Sequence, residues 1–469
     1  MTMESTITDA QLAALAASMR GDVILRSDAR YDELRAVFNG MIDRRPLAIA
    51  RVADEADVLA VLAFVREHEL PVTVRSGGHA APGHGVIDDG IVIDVRDMTG
   101  VVVDPEARTA RCAAGVDWGV FDRATQEHGL AVTGGRVSTT GVSGFSIGSG
   151  SGWLERTWGL APDHLIGLRL VTADGRVVVA DETQNRELLW ASRGAGGNFG
   201  VITEMTFALR PLGPIVFGGP RFYPMERATE VMRAYRDVME SAPAELGGGL
   251  QLIWAPEAPF IPQAAQNKPC VAIFVFWAGD FDDAAEGVAP LDALGAPMAD
   301  LAGPIPYADM QAMADAAYPA GKRDYFKGGF INHVTDEAID DMVRHGESIM
   351  APLTNIILLA LGDGTDYARY TEEHSPIGPE ARSAGWTFQV LSIWSDPADD
   401  DLHREWTRDV AKTMSSYSSL VMFPNFVSID DPSRAAEAFS PAAMERLRAV
   451  KREYDPGNVF NRVVVPLGD

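Results

Sequence analysis

From Asp54 to His68 the apolar residues Val58, Val61, Leu62 and Val65 recur at i, i+3, i+4 and i+7, which predicts an amphipathic helix. Leu70-Pro71-Val72-Thr73-Val74 then reads as a strand, and Gly90-Ile91-Val92-Ile93-Asp94-Val95 as another. Asp117 to His128 predicts a short helix closed by Gly129. Leu165–Ala173 and Val177–Ala180 flank Asp174-Gly175, a hairpin signal. From about residue 215 the texture changes. Strand runs over 249–254, 270–277, 327–334, 354–361 and 386–394 alternate with helical patterns near 225–240, 282–293, 336–349 and 400–415. A last helix, Ala442 to Glu453, is stopped by Pro456. The pattern predicts an α+β protein whose later part is built on an antiparallel sheet.

The first 200 residues are set apart by three glycine-rich stretches. Arg75-Ser76-Gly77-Gly78-His79 runs into Ala80-Ala81-Pro82-Gly83-His84-Gly85 at a strand end. A glycine pair there lets a ligand approach the backbone, and successive free N–H groups can hold phosphate oxygens. The same residues also fit a tight turn carrying a solvated histidine. The second stretch, Thr133 to Gly152, interleaves its glycines with Val137, Val142, Phe145 and Ile147, which fits a packed loop against a ligand better than a linker. The third, Gly194-Ala195-Gly196-Gly197-Asn198-Phe199-Gly200, enters a strand at Val201. Together they suggest one extended ligand of dinucleotide size. The Rossmann and P-loop glycine spacings are both absent.

Composition narrows the partners. At 469 residues the chain is long enough for two or three domains. A formal net charge of −26 argues against nucleic acid or an anionic membrane surface as partner. Cys112 and Cys270 are too few for a disulfide framework or a cysteine metal site; apolar neighbours suggest two buried thiols, and no metal is expected. No run of about 18 apolar residues exists and no basic leader is seen, so the cytoplasm is the expected compartment.

Four motifs in order carry a specific likeness. Arg75–His79, the Gly134–Gly152 loop, Gly196-Gly197-Asn198-Phe199-Gly200-Val201-Ile202-Thr203 and Lys451-Arg452-Glu453-Tyr454-Asp455-Pro456-Gly457-Asn458-Val459-Phe460 resemble the berberine-bridge-enzyme-like branch of the vanillyl-alcohol-oxidase flavoproteins. The resemblance implies a two-subdomain, PCMH-type FAD-binding domain over 1–212 and a substrate domain over 213–415, an antiparallel sheet covered by helices. Residues 416–469 would form a C-terminal segment that returns to the FAD domain. It implies an FAD bonded covalently through His79. Arg75, Ser76, Gly77, Gly78 and Gly83 would contact the cofactor from the first loop, where His84 is a second histidine that fits either a cofactor contact or a packing role, and Val137, Ser138, Thr140, Gly141, Gly144 and Gly148 would do so from the second. Gly197, Asn198, Gly200, Val201 and Ile202 would do so from the third, joined by Asn425 and Asn458.

The chain departs from the family pattern at three places. Val137 stands where many members have a cysteine that forms a second flavin bond, so a single bond is expected. Thr140 stands where a valine often admits oxygen. Phe423-Pro424-Asn425 replaces a Tyr-x-Asn motif, and phenylalanine cannot take a proton. The expected base therefore moves to Tyr325, with Lys327 next, and Thr140 joins them as a candidate near the reacting atoms. The resulting expectation is an FAD-linked oxidase that takes hydride from an alcohol or activated C–H of a small aromatic or secondary-metabolite substrate, with O2 giving peroxide. A flavin-dependent oxygenase, a dehydrogenase and a flavin-binding protein without turnover are the rivals.

Overall fold

Asp54 and Asp117 each accept a hydrogen bond from the backbone three residues on, Asp57 and Val120, and so start the helices Glu55–Glu67 and Trp118–Gln126. The computed structural model describes residues 7–361, 370–419, 423–430 and 432–468. Both helices match their sequence periodicity, and the first packs Val58, Val61, Leu62 and Val65 into the core.

Strands β1 (Asp22–Leu25), β2 (Ala48–Arg51), β3 (Val72–Arg75) and β4 (Ile91–Asp94) form one sheet in the order β1-β2-β4-β3. Its β2–β4 and β3–β4 pairs are parallel. The chain then lays down β5 (Val101–Asp104), β6 (Thr109–Ala113), β7 (Leu130–Ala131), β8 (Leu165–Val171), β9 (Val177–Asp181), β10 (Val201–Ala208) and β11 (Arg210–Pro211). The second sheet has the order β5-β6-β10-β8-β9, and β7 pairs with β11. The hairpin expected at Asp174-Gly175 is the antiparallel β8–β9 pair. Cys112, on β6, and Cys270 are buried free thiols.

The third sheet is wholly antiparallel. It comprises β12 (Ile215–Pro224), β13 (Leu246–Trp254), β14 (Pro269–Trp277), β15 (Ala299–Asp300), β16 (Gly303–Pro306), β17 (Arg323–Ile331), β18 (Asn355–Ala360) and β19 (Trp386–Trp394). The order is β15-β12-β14-β13-β18-β19-β17, with β16 on β12. One face is covered by the helices Ala228–Ser241, Asp336–Glu347 and Asp400–Met414, whose apolar sides share a core with Leu250, Ile273, Leu358 and Phe388. The other face is turned toward the glycine loops. Two expectations shift. The strand read at 327–334 begins at Arg323, and the helix read at 282–293 is two short 3-10 segments around Ala284–Val288. No helix among the described residues is long and apolar enough to cross a membrane.

The C-terminal helix, Pro441–Tyr454, packs Leu447, Val450 and Tyr454 into the same core as Leu188, Ala191 and Phe199. A buried ion pair locks it there. Lys451 Nζ donates to Asp455 Oδ2 at 2.7 Å, to the Asn198 carbonyl at 2.9 Å and to the Phe460 carbonyl at 2.8 Å. Asp455 in turn accepts from the backbone of Val459 and Phe460 at 3.0 and 2.9 Å. Removing one member strands the other charge, so Lys451→Ala is expected to lower stability by about 3–5 kcal/mol, read by urea unfolding.

Candidate functional site

β3 delivers the chain into the first glycine loop with its guanidinium already anchored. Arg75 donates to the carbonyls of Leu34 and Ala36, and burial lowers its pKa to about 10. Gly78 turns the backbone at φ 73°, a region that favours glycine. Gly77 meets Gly141 of the second loop backbone to backbone: a Cβ on either would strike the other's nitrogen. Ser76 Oγ and Ser143 Oγ both donate to the Ala114 carbonyl, at 3.0 and 2.8 Å, so the two loops hang from one acceptor.

His79 stands at this junction. Its ring stacks on Phe38 with centroids 4.0 Å apart. Nε2 lies 3.1 Å from Thr139 Oγ1 and Nδ1 lies 3.3 Å from Thr140 Oγ1. Burial pushes its pKa down to about 4, so the imidazole is neutral at neutral pH. His84 is likewise lowered to about 4, by burial and then by Arg44 and Arg462.

The three loops and the third sheet enclose a cavity of about 430 Å³. Of the residues singled out in the sequence, Arg75, Ser76, Gly77, Gly78, His79 and His84 line it from the first loop. Val137, Thr140, Gly141, Gly144 and Gly148 line it from the second, and Gly197, Gly200 and Ile202 from the third. Asn425 joins them, donating from Nδ2 to the Phe145 carbonyl at 3.0 Å, and only a glycine at 148 leaves room for it. A Cβ added at Gly144 or Gly196 would meet no atom of the described residues within 4 Å, so bare backbone faces open cavity at both. Such a cradle fits an extended nucleotide cofactor.

Other expected contacts lie off the cavity. Gly83, at φ 70°, packs on Ile42, and its carbonyl accepts from Arg44 at 2.6 Å. Ser138 is turned to Asp315, donating from its backbone at 2.7 Å and its hydroxyl at 2.5 Å. Asn198 ties the third loop to the C-terminal segment through the Val465 carbonyl at 2.8 Å. Val201 alternates with Ile202 along β10 and points into the core. Asn458, at φ 49°, turns the chain after the last helix. Phe423 is buried edge-on to Phe330, 4.8 Å between centroids.

Tyr325 and Lys327 lie on the side of β17 turned away from the cavity. Successive strand residues face opposite sides, and on β17 it is Asp324 and Phe326 that line the cavity. The Tyr325 hydroxyl donates to Asp430 at 2.6 Å and accepts from Arg408 at 3.1 Å on the far side. Lys327 Nζ lies 5.6 Å from the Tyr325 ring centroid on that same side. The sequence reading missed Asp324; a strand begun at Arg323 is the signal that finds it. Burial alone raises its carboxyl to about 7. Gln251 and Gln389 line the cavity too, both in register with Ile357 between them.

A family model described as an FAD binding domain matches residues 46–181, and one described as berberine and berberine like matches 422–462. FAD-linked oxidoreductase pgmH of Aspergillus terreus is 28% identical, the match covering 98% of this chain and 96% of that protein. The (R)-6-hydroxynicotine oxidase of Paenarthrobacter nicotinovorans is also 28% identical, covering 94% and 96%. The solved 6-hydroxy-D-nicotine oxidase of Arthrobacter nicotinovorans superposes with a TM-score of 0.83 at 25% identity, covering 95% of this chain and 98% of that one. The Physcomitrella patens BBE-like 1 structure shares the fold with a TM-score of 0.86 at 18% identity, covering 98% and 99%. The glycine cradle thus lies on a chain that carries both an FAD-binding-domain match and a berberine-like C-terminal match, and that is similar over nearly its whole length to FAD-linked oxidoreductases.

Proposed function

We propose that the enzyme is an oxidase whose FAD is tethered once, through His79. The observation that carries this reading is the imidazole itself: neutral, stacked on Phe38, flanked by two threonine hydroxyls and open to the cavity. A neutral imidazole has a free nitrogen lone pair, which bond formation to carbon requires. Val137 offers no second nucleophile from the facing loop.

Ser76, Gly77 and Gly78 would hold the pyrophosphate through backbone N–H groups, and Gly144, Gly197, Gly200 and Ile202 would lie along the rest of the cofactor. When bound, FAD supplies a two-electron acceptor for hydride from substrate carbon, and O2 as final acceptor yields peroxide. Thr140 and Asn425 would face the ring system from the loop side. The apolar wall of Phe274, Phe326, Ile357, Leu359 and Leu391 suits a small aromatic or secondary-metabolite substrate oxidised at an alcohol or activated C–H, and it keeps bulk water from the reacting carbon.

His79→Ala is expected to bind FAD that dissociates on acid precipitation, whereas the wild-type pellet stays yellow and its tryptic fragment 76–96 carries the flavin mass. A colourless wild-type pellet with an unmodified fragment overturns the tether. Tyr325→Phe is expected to cost about 1–2 kcal/mol in urea unfolding through its lost hydrogen bonds, while flavin content and turnover stay at wild-type level. A large fall in turnover at full flavin content would restore Tyr325 as the base.

A further inference from the structure

The cavity wall opposite the glycine loops carries an acid with no ion-pair partner among the described residues. Asp324 lies on β17 with Phe326, and its Oδ1 is buried with no hydrogen-bond partner among the described residues. Its place is fixed from the loop side. Asn39 donates from Nδ2 to the Asp324 carbonyl at 2.8 Å and accepts from the Asp324 N–H at 3.1 Å. The preceding residue, Phe38, is the one stacked on His79.

Arg462 lines the same cavity, but burial is the only cause of the shift at Asp324, and the other charged and titratable groups near it are held by partners. Tyr318 accepts from Asn355 Nδ2 at 3.2 Å. Arg136 binds Glu155 at 2.8 Å and lies 5.0 Å over Trp153. Asp315 holds Ser138, and His79 is neutral. On the strand itself Lys322 donates to Ser395, Arg323 pairs with Asp400, and Tyr325 bonds to Asp430. An ionised carboxylate in such a place needs an opposite charge or several donors. Gln389 Nε2, on the same wall, is a buried donor without an acceptor among the described residues.

We propose that Asp324 makes this cavity a receptor for a small aromatic amine in its protonated form, the ammonium seated on the carboxylate and the ring against the apolar wall. An alcohol presents one neutral donor and leaves the carboxylate's charge uncompensated. An ammonium presents up to three donors and the opposite charge. Gln389 Nε2 would serve an acceptor on the ring. Taking the amine as substrate rests on the oxidase reading above. One nitrogen-bound proton then passes to the Asp324 carboxylate, and the C–H bond beside nitrogen breaks with its electron pair leaving as hydride to FAD. The iminium that remains is hydrolysed by water.

Calorimetric titration of the oxygen-free holoenzyme with benzylamine and with benzyl alcohol, at about pH 5.5 and about pH 8.5, tests the assignment. At the higher pH benzylamine is expected to bind about 10-fold tighter than the alcohol or better, and to lose about 10-fold or more on acidification as the carboxyl takes up its proton. Asp324→Asn is expected to abolish both differences. If that variant does not fold, the wild-type comparison of ligand and pH decides alone. No benzylamine binding, equal affinity for the two ligands, affinity independent of pH, or an Asp324→Asn protein that behaves as wild type overturns the proposal. Flavin absorbance read before each titration scores the cofactor reading separately.

Discussion

The contact between Gly77 and Gly141 is the constraint on which the site depends. Two loops from different parts of the chain touch backbone to backbone, and a methyl group on either would push them apart. Because they touch, Ser76 and Ser143 share the Ala114 carbonyl, and Thr139 and Thr140 reach both nitrogens of His79. The cavity wall on the FAD-domain side therefore follows from the absence of side chains at a few positions more than from any side chain present.

That wall is held to the third sheet by a short stretch of chain. Phe38 stacks on His79 while its carbonyl accepts from the Gly321 N–H at 2.8 Å, and the Gly40 N–H donates to the Lys322 carbonyl at 2.7 Å. Asn39 adds its two bonds to Asp324. One loop thus positions the imidazole on one wall and the carboxyl on the other. The electrostatics agree with this enclosure: burial lowers the His79 imidazole to about 4 and raises the Asp324 carboxyl to about 7.

Much of this was legible in the chain. Glycine clusters at strand ends marked the cradle, and periodicity located most elements, because apolar spacing and capping residues act locally. The residues that lie off the cavity do so for tertiary reasons. Gly83, Ser138 and Asn198 sit in the right motifs, but their bonds to Arg44, Asp315 and Val465 turn them off the cavity, and those partners are distant in sequence. Tyr325 lies off the cavity by the period of a strand: the choice of face decides between it and Asp324, and only the packing of Tyr325 against Ala351 and Trp394 settles which side is outward from the cavity.

The account stands most directly on what fills the space between the loops. A crystal structure of the purified, yellow protein measures it. Continuous electron density from the His79 imidazole, along the backbones of Gly77, Gly141, Gly144 and Gly197, is the predicted result. An imidazole standing free, with the flavin bound elsewhere or with its ring turned away from residue 79, would contradict the account.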